Sequence, residues 1–287
     1  MRLLTLKTIL VATDLDEGSR PALITARDLA RAAGASVHVV HVSDDAKATE
    51  ATAALLSEVG LPPEDAAVHV VQGDPSHAIN LLRDKIGADT IIVGPHRARR
   101  EAEGRDALGS TALALVTNAA VPCMVTTRAL RIPLARTLAA VDISDSARGT
   151  LAVALSWTSA LRAQRDDTDN PAVLTVLHVR GPVAAGGRPA TANSTLDAIV
   201  NEVRQEAGSW AGAAIDSVTT DSADAADGIV EYAKRDRADL VVLGTRGLGI
   251  ERVGRIGSIA AAVMKKLDAP VLLVPPAVWM EVAEQSP

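Results

Sequence analysis

The segment RADLVVLGTRGLGIERVGRIGSIAAAVMKKLDAPVLL, residues 237–273, holds a strand, a loop, a helix and a second strand in linear form. ADLVVLG (238–244) and PVLLVP (270–275) are short, nearly continuous apolar runs, the pattern of strands buried on both faces. Between the first run and the helical stretch SIAAAVMKKL (258–267) lies GTRGLGIERVGRIGS (244–258), which carries five of the chain's 20 glycines. Arg246, Arg252 and Arg255 are interspersed among them. Glycines let backbone N–H groups approach a ligand, and arginines beside them point to an anion, with phosphate as the first expectation.

Outward from this segment the same order recurs. In the first half KTILVAT (7–13), SVHVVHV (36–42), AVHVV (67–71), DTIIVG (89–94) and PCMVTT (122–127) read as strands, with helices near 19–33, 46–59, 76–86 and 109–120. In the second half RTLAAVD (136–142), AVLTVLHV (172–179), a poor strand at 215–219, ADLVVLG and PVLLVP alternate with helices near 146–161, 195–214, 225–236 and 258–267. Leu196, Ile199, Val200, Val203, Ala207, Trp210 and Ala214 follow the spacing of one buried helical stripe. RGPVAAGGRPATANST (180–195), rich in Gly, Pro and small polar residues, reads as a mobile surface loop.

The halves align. GADTIIVG (87–94) matches RADLVVLG (237–244), LGSTALALVTNAAVPCMV (108–125) matches IGSIAAAVMKKLDAPVLL (256–273), HV at 41–42 matches HV at 178–179, and Asp14 matches Asp142. Agreement in order, strand type and glycine placement indicates an internal duplication, with domains at 1–130 and 136–287. Strands alternating with amphipathic helices imply an α/β fold in which each domain has a mostly parallel sheet covered on both faces.

Composition excludes several roles. The chain of 287 residues has no Phe, one Tyr and three Trp, so its cores are built from Ala, Val, Leu and Ile. A net charge of −6 and the scarcity of aromatics argue against nucleic-acid and anionic-membrane surfaces. No stretch has the roughly 20 apolar residues of a membrane span. Lys7 and Asp14 interrupt the start as a signal peptide, and the single Cys123 excludes an intrachain disulfide, so a cytoplasmic location is expected. Cys123 follows Pro122 in an apolar run and reads as an inert, buried thiol.

The glycine loop lacks the Lys-Ser/Thr of a Walker A motif, and its glycines do not follow the dinucleotide fingerprint. It does contain G-x2-G-x9-G-S, with Gly244, Gly247, Gly257 and Ser258 in register. With Asp142 ending the first strand of its half and the duplicated strand–helix order, this pattern resembles the universal stress protein family in its tandem form. The resemblance covers residues 7–127 and 136–275 and implies two flavodoxin-like or Rossmann-like domains with five-stranded sheets. It also implies an ATP site. Asp142 and the backbone of Val179 would meet adenine and ribose; Gly244 and Gly247 the ribose and first phosphate; Gly257, Ser258 and Ile259 the distal phosphates. Thr245 belongs to the same binding loop, and Arg246, with Arg252 and Arg255, would add positive charge. Mg or Mn would accompany the phosphates.

Elementary electrostatics points the same way: Gly257 and Ser258 open an apolar helix, where Ser258 can act as N-cap and free N–H groups attract an anion. The competing reading is an ordinary connection with solvated arginines. The first half keeps Asp14, Val42, Gly94, Gly109 and Ser110, but Arg97 replaces the second glycine, the Gly-Ser pair comes two residues later, and Glu101, Glu103 and Asp106 enter the loop. Its motif is therefore read as degenerate.

The expected role is nucleotide-dependent regulation in a stress response, through a protein partner. Slow ATP hydrolysis, with Glu251, Asp142 or Asp145 positioning water, and a nucleotide-free interaction scaffold are the alternatives. His38, His41, His69 and His178 fall on strands without metal-ligand spacing, which makes structural roles the default. The resemblance further implies a pseudo-dimer of the two domains within one chain, through 122–127 and 270–275, and a possible homodimer.

Overall fold

The computed structural model describes residues 6–95, 109–144, 147–162, 172–181, 190–206, 213–246, 256–276 and 278. The chain divides into two compact units, one centred on residues 5–132 and the other on 133–267 with 272–287.

In the first unit β1 (Thr8–Ala12), β2 (Ser36–Val42), β3 (Ala66–Val71), β4 (Thr90–Val93) and β5 (Cys123–Val125) lie in the order β3-β2-β1-β4-β5. The β1–β2, β1–β4, β2–β3 and β4–β5 pairs are parallel. Helices α1 (Arg20–Ala33), α2 (Ala48–Glu58), α3 (Pro75–Ile86) and α4 (Ser110–Asn118) connect them. In the second unit β6 (Arg136–Ala140), β7 (Ala172–Arg180), β8 (Ala213–Asp221), β9 (Leu240–Gly244) and β10 (Val271–Val274) take the corresponding order β10-β9-β6-β7-β8. Its helices are α5 (Ala147–Ala160), α6 (Ala190–Glu206), α7 (Ala225–Asp236) and α8 (Ser258–Lys266). In each unit the chain leaves the first strand in one direction and returns on its other side with the fourth. This reversal opens a crevice at the carboxyl ends of those strands.

The central strands are apolar because both faces are covered: Ile9, Leu10, Ile91, Ile92, Leu138, Leu240 and Val241 are wholly buried. Cys123 is also buried, and burial pushes its thiol up to about 12, so it stays protonated and inert. Two aspartates, one in each unit, hold the start of the first strand. Asp89 Oδ2 accepts from the N–H groups of Lys7 and Thr8, and Asp239 Oδ2 from those of Ala135 and Arg136.

The third strand of the second unit departs from the sequence expectation. Helix α6 begins at Ala190 and β8 occupies Ala213–Asp221, so Ala214 belongs to a strand and Ala190–Thr195 to a helix rather than a loop. Leu196, Ile199, Val200 and Val203 are buried as the stripe requires, while Ala207 and Trp210 lie outside the described residues. Pairing of all nine residues of β8 with Ala172–Arg180 outweighs the weak local preference of AAIDSVTTD. Arg180 and Asp221 close the end of that pair with two charge-assisted bonds of 2.7 and 2.9 Å.

The duplication supplies a stability test. Helix α3 ends on Gly87 at φ 64°, whereas α7 ends on exposed Arg237 at φ 53°, a left-handed conformation that disfavours a side chain. Arg237→Gly should stabilise the protein by up to ~1 kcal/mol, after the extra freedom of glycine in the unfolded chain is subtracted. An unchanged or lower urea midpoint would contradict this.

His38 and His69 lie on adjacent strands with Nδ1 and Nε2 2.9 Å apart and their rings stacked. Desolvation lowers both pKa values, and the charges of His38 and Lys85 lower that of His69 further. The folded state thus holds both imidazoles neutral, while the unfolded chain takes up protons near the ordinary value of about 6.5. Stability should be full above that pH and fall as pH drops through it toward the lowered folded values. Urea midpoints between pH 7.5 and 5 should show this decline, and a His38→Gln/His69→Gln protein should show a flatter one.

Candidate functional site

The second unit carries a cleft of ≈ 320 Å³ at the carboxyl edge of β7, β6 and β9. Three adjacent strands span about 10 Å, room for a nucleoside with phosphates at one end. At the β7 end the cleft is lined by His178 and Val179, beyond the central strand β6 by Asp142, and at the β9 end by Gly244 and Arg246. The first turn of α8, with Gly257, Ser258 and Ile259, completes it.

Local sequence explains each position. Beyond β6, Asp142 is held by the Ser144 hydroxyl, which donates to Oδ1. The Thr245 N–H continues the sheet edge by donating to the Val274 carbonyl at 2.9 Å, and the Thr245 carbonyl accepts from Gly257 N–H at 2.8 Å. That second bond staples together the two ends of the glycine loop. Thr245 is buried and, unlike the other expected contacts among the described residues, does not line the cleft. Gly247, Glu251, Arg252, Arg255 and Asp145 lie outside the described residues.

Gly244 has a packing reason of its own: a Cβ there would meet the Arg246 carbonyl oxygen at 3.1 Å and Thr150 Oγ1 at 3.3 Å. Its equivalent Gly94 is tighter, with the Gly18 carbonyl oxygen 2.4 Å from a Cβ position. Close approach of backbone to backbone, more than approach of a ligand, explains glycine at this strand end.

The helix N-cap is Gly257 rather than Ser258, and no side chain caps α8. Helices α3 and α7, by contrast, are capped by Asp74 and Asp224, which accept from the N–H groups of His77 and Asp227. The N–H groups of the first turn of α8 therefore present partial positive charge to the cleft, reinforced by Arg246. The cleft is polarised: positive at the α8 turn beside β9, with the Asp142 carboxylate beyond the central strand β6.

Three residues of the site escaped the sequence reading. His178, assigned a structural default, has Nδ1 3.0 Å from the Val141 carbonyl oxygen and also lines the cleft. Thr150 of α5 backs Gly244, and Gly228 of α7 lets that helix approach Val179, whose Cγ1 would lie 2.8 Å from a Cβ at 228. The repeated HV at 41–42 and 178–179 was the available signal for His178. The other two depend on contacts between distant segments and leave no sequence pattern.

The first unit has a smaller cleft of ≈ 250 Å³ in the corresponding place, lined by Asp14, His41, Val42, Gly94 and Gly109. Helix α4 likewise has Gly109 as N-cap and no side-chain cap. Residues 96–108, on which the degenerate reading rests, lie outside the described residues. Among the described residues no group of three or more His, Cys, Asp or Glu could hold a metal ion, and no helix is long and apolar enough to cross a membrane.

Comparison with known proteins agrees with this architecture. A 50-residue stretch is 48% identical to a universal stress protein of Methanocaldococcus jannaschii, covering 17% of this chain and 29% of that protein's length. A putative universal stress protein of Pseudomonas aeruginosa shares the fold with a TM-score of 0.66 at 20% identity, over 98% of both chains. One from Archaeoglobus fulgidus gives a TM-score of 0.64 at 17% identity, over 95% of this chain and 97% of that one. The universal stress protein family model matches twice, at residues 5–127 and 135–275. With a family match in each half, the chain belongs to the universal stress protein family as a tandem of two such domains.

Proposed function

We propose that the second unit binds ATP and that the protein is a nucleotide-dependent regulator in a stress response. The observation that carries this reading is the polarity of its cleft. One end offers first-turn amides of α8 and Arg246 to phosphates, and the other offers Asp142 and the Val179 backbone to a neutral, polar nucleoside. Gly244 and Gly247 would lie along the ribose and first phosphate, and Gly257, Ser258 and Ile259 at the distal phosphates. Half-exposed Ile259 would cover the bound molecule at the mouth.

Mg or Mn would be held chiefly by the phosphates themselves and would neutralise their charge. Asp142 is the one carboxylate among the described lining residues, beyond the middle strand β6. The loop also lacks the lysine of a P-loop, and we read the protein as a regulator with at most slow hydrolysis. We place the protein in the cytoplasm, with ATP occupancy read by a protein partner or by self-association.

Mass spectrometry of the supernatant from denatured, purified protein tests the reading. ATP or ADP released in proportion to protein is expected. No nucleotide, together with no heat on titration of ATP and Mg, would leave the nucleotide-free scaffold as the better description. Rapid phosphate release would instead favour an ATPase.

A further inference from the structure

The β6–β7 ladder ends with an exchange of partners. Ala140 lies opposite Leu177, and Val141 N–H donates to the Leu177 carbonyl at 2.9 Å. The next rung of a parallel ladder would run from Val179 N–H to the Val141 carbonyl. His178 Nδ1 stands 3.0 Å from that carbonyl oxygen instead. Since a carbonyl only accepts, Nδ1 carries the proton.

Strand geometry gives the direction of the Val179 groups. The Arg180 carbonyl accepts from Ser222 N–H, so residue 180 faces β8. Successive residues of a strand direct their backbone groups to opposite neighbours. Val179 therefore directs its N–H and C=O toward the β6 side, beyond the last rung and within the cleft that it lines.

The same device occurs in the first unit. Thr13 N–H donates to the Val40 carbonyl at 3.0 Å, His41 Nδ1 lies 2.9 Å from the Thr13 carbonyl oxygen, and Ser43 N–H turns to Val71. Its recurrence at two sites in one chain argues for a purpose beyond satisfying one carbonyl.

Resting on the ATP reading above, we propose that His178 is a positioning residue: its imidazole occupies the Val141 carbonyl, leaving the Val179 N–H and C=O as a donor–acceptor pair for the base. Such a pair complements a 6-aminopurine, whose exocyclic amine donates and whose ring N1 accepts. A 6-oxopurine presents the reverse order, so the edge selects adenine over guanine.

Amide exchange at Val179, resolved by NMR in the nucleotide-free full chain, tests this together with calorimetry. His178→Leu removes the donor, so the ladder should close by one rung, slowing Val179 exchange at least tenfold. ATP should bind about tenfold more weakly, the loss of roughly one hydrogen bond to the base, while inorganic tripolyphosphate binds unchanged. His178→Asn places an amide nitrogen where Nδ1 stood and should restore both values. His41→Leu should slow Val42 exchange without changing ATP affinity.

Equal Val179 exchange in wild type and His178→Leu would overturn the proposal, as would slowed exchange with unaltered ATP affinity. Equal weakening by His41→Leu would show a general effect and also overturn it. If the wild type binds no ATP, the nucleotide reading fails and the adenine selection fails with it, while exchange still decides whether the imidazole holds the edge open.

Discussion

Gly257→Val should abolish the proposed ATP binding, with little change in fold. Gly257 is the N-cap of α8 at φ −61° and ψ 143°, an extended conformation that valine adopts without strain. Its added methyl groups would stand before the uncapped first-turn amides, where the distal phosphates are placed. Losing two charge-assisted bonds to phosphate should weaken binding ~100-fold or more. Because Ser258 makes no cap bond, Ser258→Ala should leave the helix nearly unaffected and weaken ATP less than tenfold, from one lost hydroxyl contact.

Calorimetry on metal-saturated, nucleotide-free protein should give a stoichiometry near one for the wild type. In the first half Arg97 replaces the second glycine and Glu101, Glu103 and Asp106 oppose a triphosphate, although Arg99, Arg100 and Arg105 offset part of that repulsion. Gly247→Arg, which copies the first-half residue, should behave as Gly257→Val does. A stoichiometry near two, or normal binding by Gly257→Val, would contradict the assignment.

The largest expected loss of stability comes from Gly94→Ala, about 3 kcal/mol. The new Cβ would lie 2.4 Å from the Gly18 carbonyl oxygen and 3.1 Å from Ser19 Cα, both backbone atoms. That turn has little freedom to yield: Gly18 N–H donates to Asp16 Oδ1 at 2.7 Å, Ser19 N–H to the Asp16 carbonyl at 3.1 Å, and the Thr13 and Ser19 hydroxyls are bonded at 2.8 Å. Gly244→Ala meets a rotatable Thr150 hydroxyl and a carbonyl at 3.1 Å or beyond, so it should cost under about 1.5 kcal/mol. Urea denaturation followed by circular dichroism compares the two, and equal midpoints would show that the first contact relaxes.

Local pattern alone determined the strand–helix alternation, the duplication, the placement of Asp142 and Gly244 at the carboxyl edge of one sheet, and that of Gly257 and Ser258 at the start of a helix, while Val179 entered through the family resemblance. Apolar runs, helical spacing and turn residues are properties of neighbouring side chains, so they are legible in the linear chain. The tertiary structure decided where long-range pairing prevails. It made Ala213–Asp221 a full strand beside β7, buried Thr245 and tied its carbonyl to Gly257 N–H, and gave Gly94 and Gly244 packing roles. It also set the imidazole of His178 against the Val141 carbonyl. These outcomes depend on which segments meet at the sheet edge, where a backbone group's partner belongs to a strand or turn distant in the chain.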